Sequence, residues 1–189
     1  KSIFFVNNLG DITALDVNNG SLVWQTPTQS NMIYENAFSL QNSDLVFENN
    51  TIYFSNNKNE FFSIDARTGT IKWAQSINSS LRPTIIENLI FTVSNEGYFF
   101  IIDDPTGNII RITDVLKNFK DKSEIKPIGF IHAKNKIYVS LSNGRIVTIN
   151  SKTGIQEKIT KINNSKISRP YVLNNNMYLI KDNALTKIE

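Results

Sequence analysis

Short runs in which apolar and polar positions alternate, each closed by Gly, Asn or Asp, recur along the chain. Ile12-Thr13-Ala14-Leu15 and Phe61-Phe62-Ser63-Ile64 are of this kind, and period-two alternation between turn residues predicts β-strands. A glycine-bearing turn follows each, and then a second apolar run that ends on a large aromatic: Leu22-Val23-Trp24 and Ile71-Lys72-Trp73. Upstream lie further strand-like runs over residues 89–93, 137–141 and 177–180. Each of those is preceded by a shorter run that opens at Arg82-Pro83, Lys126-Pro127 or Arg169-Pro170. No segment carries a helical stripe, although residues 113–122 have room for one or two helical turns.

The runs share one register. Gly10, Asp16, Gly20 and Trp24 set offsets that return at Asn59, Asp65, Gly69 and Trp73. They return again at Gly97, Asp103, Gly107 and Arg111, and at Gly144, Asn150, Gly154 and Lys158. The Asp/Asn positions are 49, 38 and 47 residues apart, and the cation–proline pairs 44 and 43. Fixed motifs with variable spacers describe one structural unit repeated, with the length changes placed in loops. The opening Gly or Asn suits a positive-φ turn between strands. The Asp or Asn that closes the next strand can hydrogen-bond the following turn, and the motif Gly takes that turn's left-handed position. Four short antiparallel strands in about 40–50 residues is the size of a propeller blade. The chain therefore divides into a partial blade over 1–25, blades over 44–75, 82–113 and 126–160, and a partial blade over 169–189. This is an all-β fold, an open arc of a β-propeller.

Ala14-x-Asp16-x-x-x-Gly20-x-x-x-Trp24 and Ser63-x-Asp65-x-x-Thr68-Gly69-x-x-x-Trp73 resemble the tryptophan-docking repeat of the pyrroloquinoline-quinone-type β-propellers. Within that superfamily they are similar to the cofactor-free, BamB-type lipoproteins of outer-membrane assembly. Arg111 and Lys158 depart from the pattern, and looser outer-strand packing is expected there. The resemblance implies a non-enzymatic protein-binding scaffold of the bacterial envelope, periplasmic and associated with the outer membrane. Its partners would be proteins of an outer-membrane assembly complex. Family propellers usually have eight blades, so the chain reads as a C-terminal part of a longer protein. The lipid-bearing cysteine that attaches it to the membrane would then lie in the missing part, and an isolated arc is expected to self-associate. A quinone-dependent dehydrogenase domain and an extracytoplasmic sensor domain are the rival readings.

Composition narrows the chemistry. Apolar residues make up 40% of the 189 and charged residues 20%, enough for a packed core. The net charge of +3 is a weak balance for binding nucleic acid, and no nucleic-acid partner is expected. With no cysteine there is no disulfide, thiolate metal site or cysteine nucleophile. A single histidine, His132, rules out a histidine-cluster metal site. Its place beside Lys134-Asn135 reads as a surface turn. Asp103 has a turn role and Asp104-Pro105 shapes the same turn, so neither reads as catalytic, and no cofactor is expected. The candidate contact residues are Arg82, Lys126 and Arg169, which recur at the blade period and could form a basic rim for an acidic partner. A second group is Tyr34 and Phe38 on the long connection over 26–43, with Leu116 and Phe119 on the connection over 113–125. These aromatics either anchor a partner or pack back on their own blades.

Overall fold

The computed structural model describes residues 1–7, 10–28 and 40–188. The described residues form five antiparallel sheets in chain order. The first holds β1 (Ser2–Val6), β2 (Ile12–Asp16) and β3 (Leu22–Thr26). The second holds β4 (Val46–Glu48), β5 (Thr51–Asn56), β6 (Glu60–Asp65) and β7 (Ile71–Gln75). The third is β8 (Thr84–Ile86), β9 (Leu89–Val93), β10 (Tyr98–Asp103) and β11 (Ile109–Asp114). The fourth is β12 (Pro127–Ala133), β13 (Lys136–Leu141), β14 (Arg145–Asn150) and β15 (Gln156–Lys161). The fifth is β16 (Tyr171–Leu173), β17 (Asn176–Lys181) and β18 (Ala184–Ile188). Each sheet is a simple meander in which sequence neighbours are hydrogen-bonded neighbours, the topology of propeller blades.

The chain forms two compact units, Lys1–Pro83 with Pro105–Gly107, and Thr84–Asp104 with Asn108–Glu189. In the first, Ile12 of the first sheet packs with Ile52, Phe54, Phe62, Ile64 and Ala66 of the second, and Phe4, Val6 and Trp24 close the cluster. In the second, Ile146, Ile167 and Leu179 form a cluster with Tyr138, Ile162, Met177 and Ile188. A blade covered on both faces has no solvent side, so its middle strands lose the alternation that an exposed sheet would show. Ser63 is 1% exposed between Phe62 and Ile64, and all six residues of β5 are buried. The polar half of the alternation in β6 thus lies inside the protein.

The turns follow the motif. Gly10, Asn59, Gly97 and Gly144 all have positive φ at the opening turn, as do Gly20, Gly69, Gly107 and Gly154 at the next. Asparagine supplies many of the remaining left-handed positions, among them Asn49, Asn50, Asn135, Asn174, Asn175 and Asn183. Its abundance is therefore used by the turns. A register shift falls at one motif position in four sheets, after Ala14, Ser63, Ile101 and Thr148. Such bulges increase local twist and turn the outer strand. Residues 113–121 form no helix, and a 3-10 turn begins only at Lys122 (Lys122–Glu124). Val115 and Leu116 are buried instead, with Leu116 against Gly97, so this connection folds back on its own sheet. Among the described residues no helix is long and apolar enough to cross a membrane.

Candidate functional site

The motif residues build one contact three times over. Asp65 closes β6, and its carboxylate accepts from the Arg67 and Thr68 backbone N–H groups at 2.9 and 3.0 Å. These bonds, that from Thr68 first, hold the carboxyl below its ordinary range. Asp16 accepts from the Asn18 N–H at 2.8 Å, and the Asn150 amide oxygen from Lys152 and Thr153 at 3.0 Å. At three of the turns, those of Gly69, Gly107 and Gly154, the Gly has no side chain and an outer-strand side chain of another blade rests in the space, whereas nothing lies within 4 Å of Gly20. Trp24 lies on Gly69, where a Cβ would stand 2.7 Å from its ring. Its indole N–H donates to the Ala66 carbonyl at 3.1 Å. Trp73 lies on Gly107 and the stem of Arg111 on Gly154 in the same manner. Two residues further along, the Thr26 hydroxyl donates to the Gly69 carbonyl at 2.6 Å. The Gln75 amide donates to Gly107 at 2.7 Å, and the Thr113 hydroxyl to Gly154 at 2.6 Å. Arg111 thus takes the tryptophan's place with its aliphatic stem, which packs like an apolar side chain.

The second donor was missed in the sequence. Thr26, Gln75, Thr113 and Thr160 are all polar and all stand two positions after Trp24, Trp73, Arg111 and Lys158. That offset was available as a signal.

The other candidates take different positions. Arg82 and Lys126 are exposed, each one residue before a buried proline at the entrance to an inner strand. Lys126 is held by its backbone, whose N–H donates to the Ser142 hydroxyl at 2.9 Å. Arg169 is half-buried: its stem lies over Gly129, its Nε donates to the Phe130 carbonyl at 3.1 Å, and its guanidinium stands 5.9 Å from the Tyr171 ring. It clamps β12 to the start of the fifth sheet. Tyr34 and Phe38 lie outside the described residues. Asp103 and Asp104 close β10 as turn residues, with the Asp103 N–H donating to the Asn108 carbonyl at 2.9 Å. Among the described residues no three His, Cys, Asp or Glu side chains gather into a metal site.

His132 is not on a surface turn. It belongs to β12, half-buried, with its ring stacked on Phe91 at 5.8 Å and Nε2 3.2 Å from the Ser151 hydroxyl. Burial pushes its pKa below the ordinary histidine value. The turn is confined to Lys134-Asn135, so His132 stays within the strand, and its stacking partner comes from a strand distant in sequence. His132 lines a cleft of about 720 Å³ in the second unit, with Lys158 and Thr160 of β15 on one side and Met177 and Ile188 of the fifth sheet on the other. A Lys136–Glu157 ion pair at 2.9 Å stands at this cleft; it raises the lysine's pKa and lowers the glutamate's.

Known proteins repeat this architecture. The protein is similar to BamB from Moraxella catarrhalis, with a TM-score of 0.76 at 16% identity over 98% of this chain and 53% of that one. It is also similar to the Cps50 (Swd1) β-propeller domain of Myceliophteria thermophila, with a TM-score of 0.71 at 9% identity over 96% of this chain and 59% of that one. At such identities the likeness establishes the fold, a β-propeller. In sequence, an outer membrane protein assembly factor BamB from Legionella pneumophila (strain Paris) is 22% identical over 104 residues, 53% of this chain. The match spans 24% of that relative's length. The family model described as outer membrane protein assembly factor BamB matches residues 1–113, which include the two motifs that keep their tryptophan. With more than half of its length matched by that model, the chain belongs to the BamB family of outer membrane protein assembly factors.

Proposed function

We propose that the protein is a non-enzymatic, protein-binding scaffold that assists the assembly of outer-membrane β-barrel proteins. It acts on the periplasmic side of the outer membrane, held there by a lipid anchor, within an assembly complex. The observation that carries this reading is the family match over residues 1–113. The geometry is compatible with it: the motif residues are spent on holding blades together, and the scaffold leaves cations such as Arg82 and Lys126 exposed at strand entrances. Exposed cations on a rigid sheet framework steer and orient an acidic partner.

A quinone enzyme of the same repeat class is the alternative to exclude. The purified protein is titrated with pyrroloquinoline quinone in the presence of Ca²⁺, following quinone absorbance and alcohol-dependent dye reduction. The scaffold reading expects no stoichiometric complex and no reduction above the protein-free rate. A one-to-one complex that reduces dye with an alcohol would overturn it.

A further inference from the structure

Two hydroxyls inside the second sheet are left over by the hydrogen bonding around them. Ser55 of β5 is fully buried and Ser63 of β6 is 1% exposed. Neither Oγ has a hydrogen-bond partner among the described residues. β5 and β6 are the middle strands of their sheet, so their backbone groups are taken up by the ladders on either side. The Ser43 hydroxyl accepts from the Ser55 N–H at 3.0 Å and donates to the Asp44 carbonyl at 3.1 Å, so its proton is spent. The register brings the two serines together. Tyr53 stands opposite Ser63 and Ser55 opposite Phe61, which puts all four side chains on one face. Ser55 and Ser63 are then diagonal neighbours, about 7 Å apart at Cβ. Trp73 stands opposite Ser63 on the other side, and its ring stacks on Phe61 at 5.9 Å. Aromatic side chains thus surround a small polar spot. The other sheets differ at these two positions. The first has Val6 and Ala14 there, and the third Val93 and Ile101. Where a serine recurs, as Ser140 of the fourth sheet, its hydroxyl donates to the Gly129 carbonyl at 3.1 Å.

We infer that Ser55 and Ser63 form a binding site for a single ordered water, held on the face that β5 and β6 share. A buried hydroxyl without a partner carries a desolvation cost that folded proteins rarely leave uncompensated. Each serine can donate one hydrogen bond and accept others. A water that accepts from one hydroxyl and donates to the other, at about 2.8 Å each, spans diagonal neighbours whose Oγ atoms point towards each other. Two polar partners are enough to hold a buried water. Both serines are smaller than Val93 and Ile101, the aliphatic side chains that fill the same two positions of the third sheet, and so leave it room. The site rests on the second sheet alone and is independent of the scaffold role proposed above.

The test compares the parent protein with a Ser55→Val, Ser63→Ile double variant, which installs the aliphatic pair of the third sheet and removes both hydroxyls. Oxygen-17 relaxation dispersion of the solvent counts waters that reside for long times in the interior, and serine hydroxyls do not contribute to it. Proteins hold roughly one buried water per 27 residues, about seven for a chain of this size, so the loss of a single one is readable. The expected result is a dispersion amplitude lower by one water in the variant. A high-resolution crystal structure of the parent should show one solvent peak within about 3 Å of both Oγ atoms. An unchanged amplitude in a variant that still unfolds cooperatively overturns the inference. So does a parent crystal structure in which the two Oγ atoms bond each other directly, or in which no solvent peak lies between them. The crystal structure decides alone if the variant does not fold.

Discussion

A Cβ added to Gly69 would stand 2.7 Å from the Trp24 ring and from the Thr26 hydroxyl, whereas one added to Gly20 meets nothing within 4 Å. Both turns have φ near +70°. Gly20→Ala therefore adds only the left-handed penalty, about 1–2 kcal/mol. Gly69→Ala adds overpacking of about 1–3 kcal/mol on top of it. Urea unfolding of the two variants should separate them by at least about 1 kcal/mol at an unchanged m-value; equal losses would mean that Trp24 does not rest on the turn. Trp73→Ala removes a half-buried ring stacked on Phe61 at 5.9 Å. The loss should lie near the low end of the roughly 3–5 kcal/mol seen for buried aromatic truncations, lowering Tm by on the order of 5–10 °C. His132 predicts a pH dependence. Its folded pKa lies below the unfolded value, so the unfolded chain takes up the proton first as pH falls. Stability should be full above about pH 6.5, the ordinary histidine value, and decline below it, before carboxylates titrate. Melting curves between pH 7.5 and 5.5 should show that decline, and His132→Phe should flatten it; an unchanged slope in the variant would assign it to other groups.

At the scale of elements, much of the strand framework was legible because the motif marks turns. Leu89–Val93 is a strand with the bounds its apolar run suggested, and Asn59, Gly97 and Gly144 take the positive φ that the opening turn requires. Contacts between sheets were less legible. His132 was read as a surface residue because Lys134-Asn135 looks like an approaching turn, and nothing local reveals that Phe91 stacks on it. Arg111 was expected to pack poorly where a tryptophan stands elsewhere. Its long apolar stem covers Gly154, and Thr113 supplies the hydrogen bond. The conserved element of the contact is the Gly turn with its donor, and several side chains can lie over it. Thr113→Val should accordingly cost about 1–2 kcal/mol, because the buried Gly154 carbonyl loses its donor. Equilibrium denaturation measures this directly, and a neutral substitution would show that the bond is dispensable.

For the molecule as a whole, repetition sets the fold and leaves function to what the framework displays. The repeat named the propeller class and the BamB family from two motifs in the first half of the chain, the half that the family model matches. Partner contacts carry no comparable signal, because an exposed cation at a strand entrance has the same sequence context whether it meets a partner or only solvent. Arg169 illustrates the difficulty: it shares its sequence context with Arg82 and Lys126, yet its side chain bonds to the Phe130 carbonyl of β12. Only the exposed pair is suited to a charge test that spares the fold. Affinity for a purified outer-membrane β-barrel assembly complex, measured by biolayer interferometry at low and physiological salt, bears most directly on the scaffold role. Saturable binding is predicted, weaker at the higher salt and weaker by roughly tenfold in an Arg82→Glu, Lys126→Glu variant that melts normally. A folded protein that shows no saturable binding at low salt would contradict it.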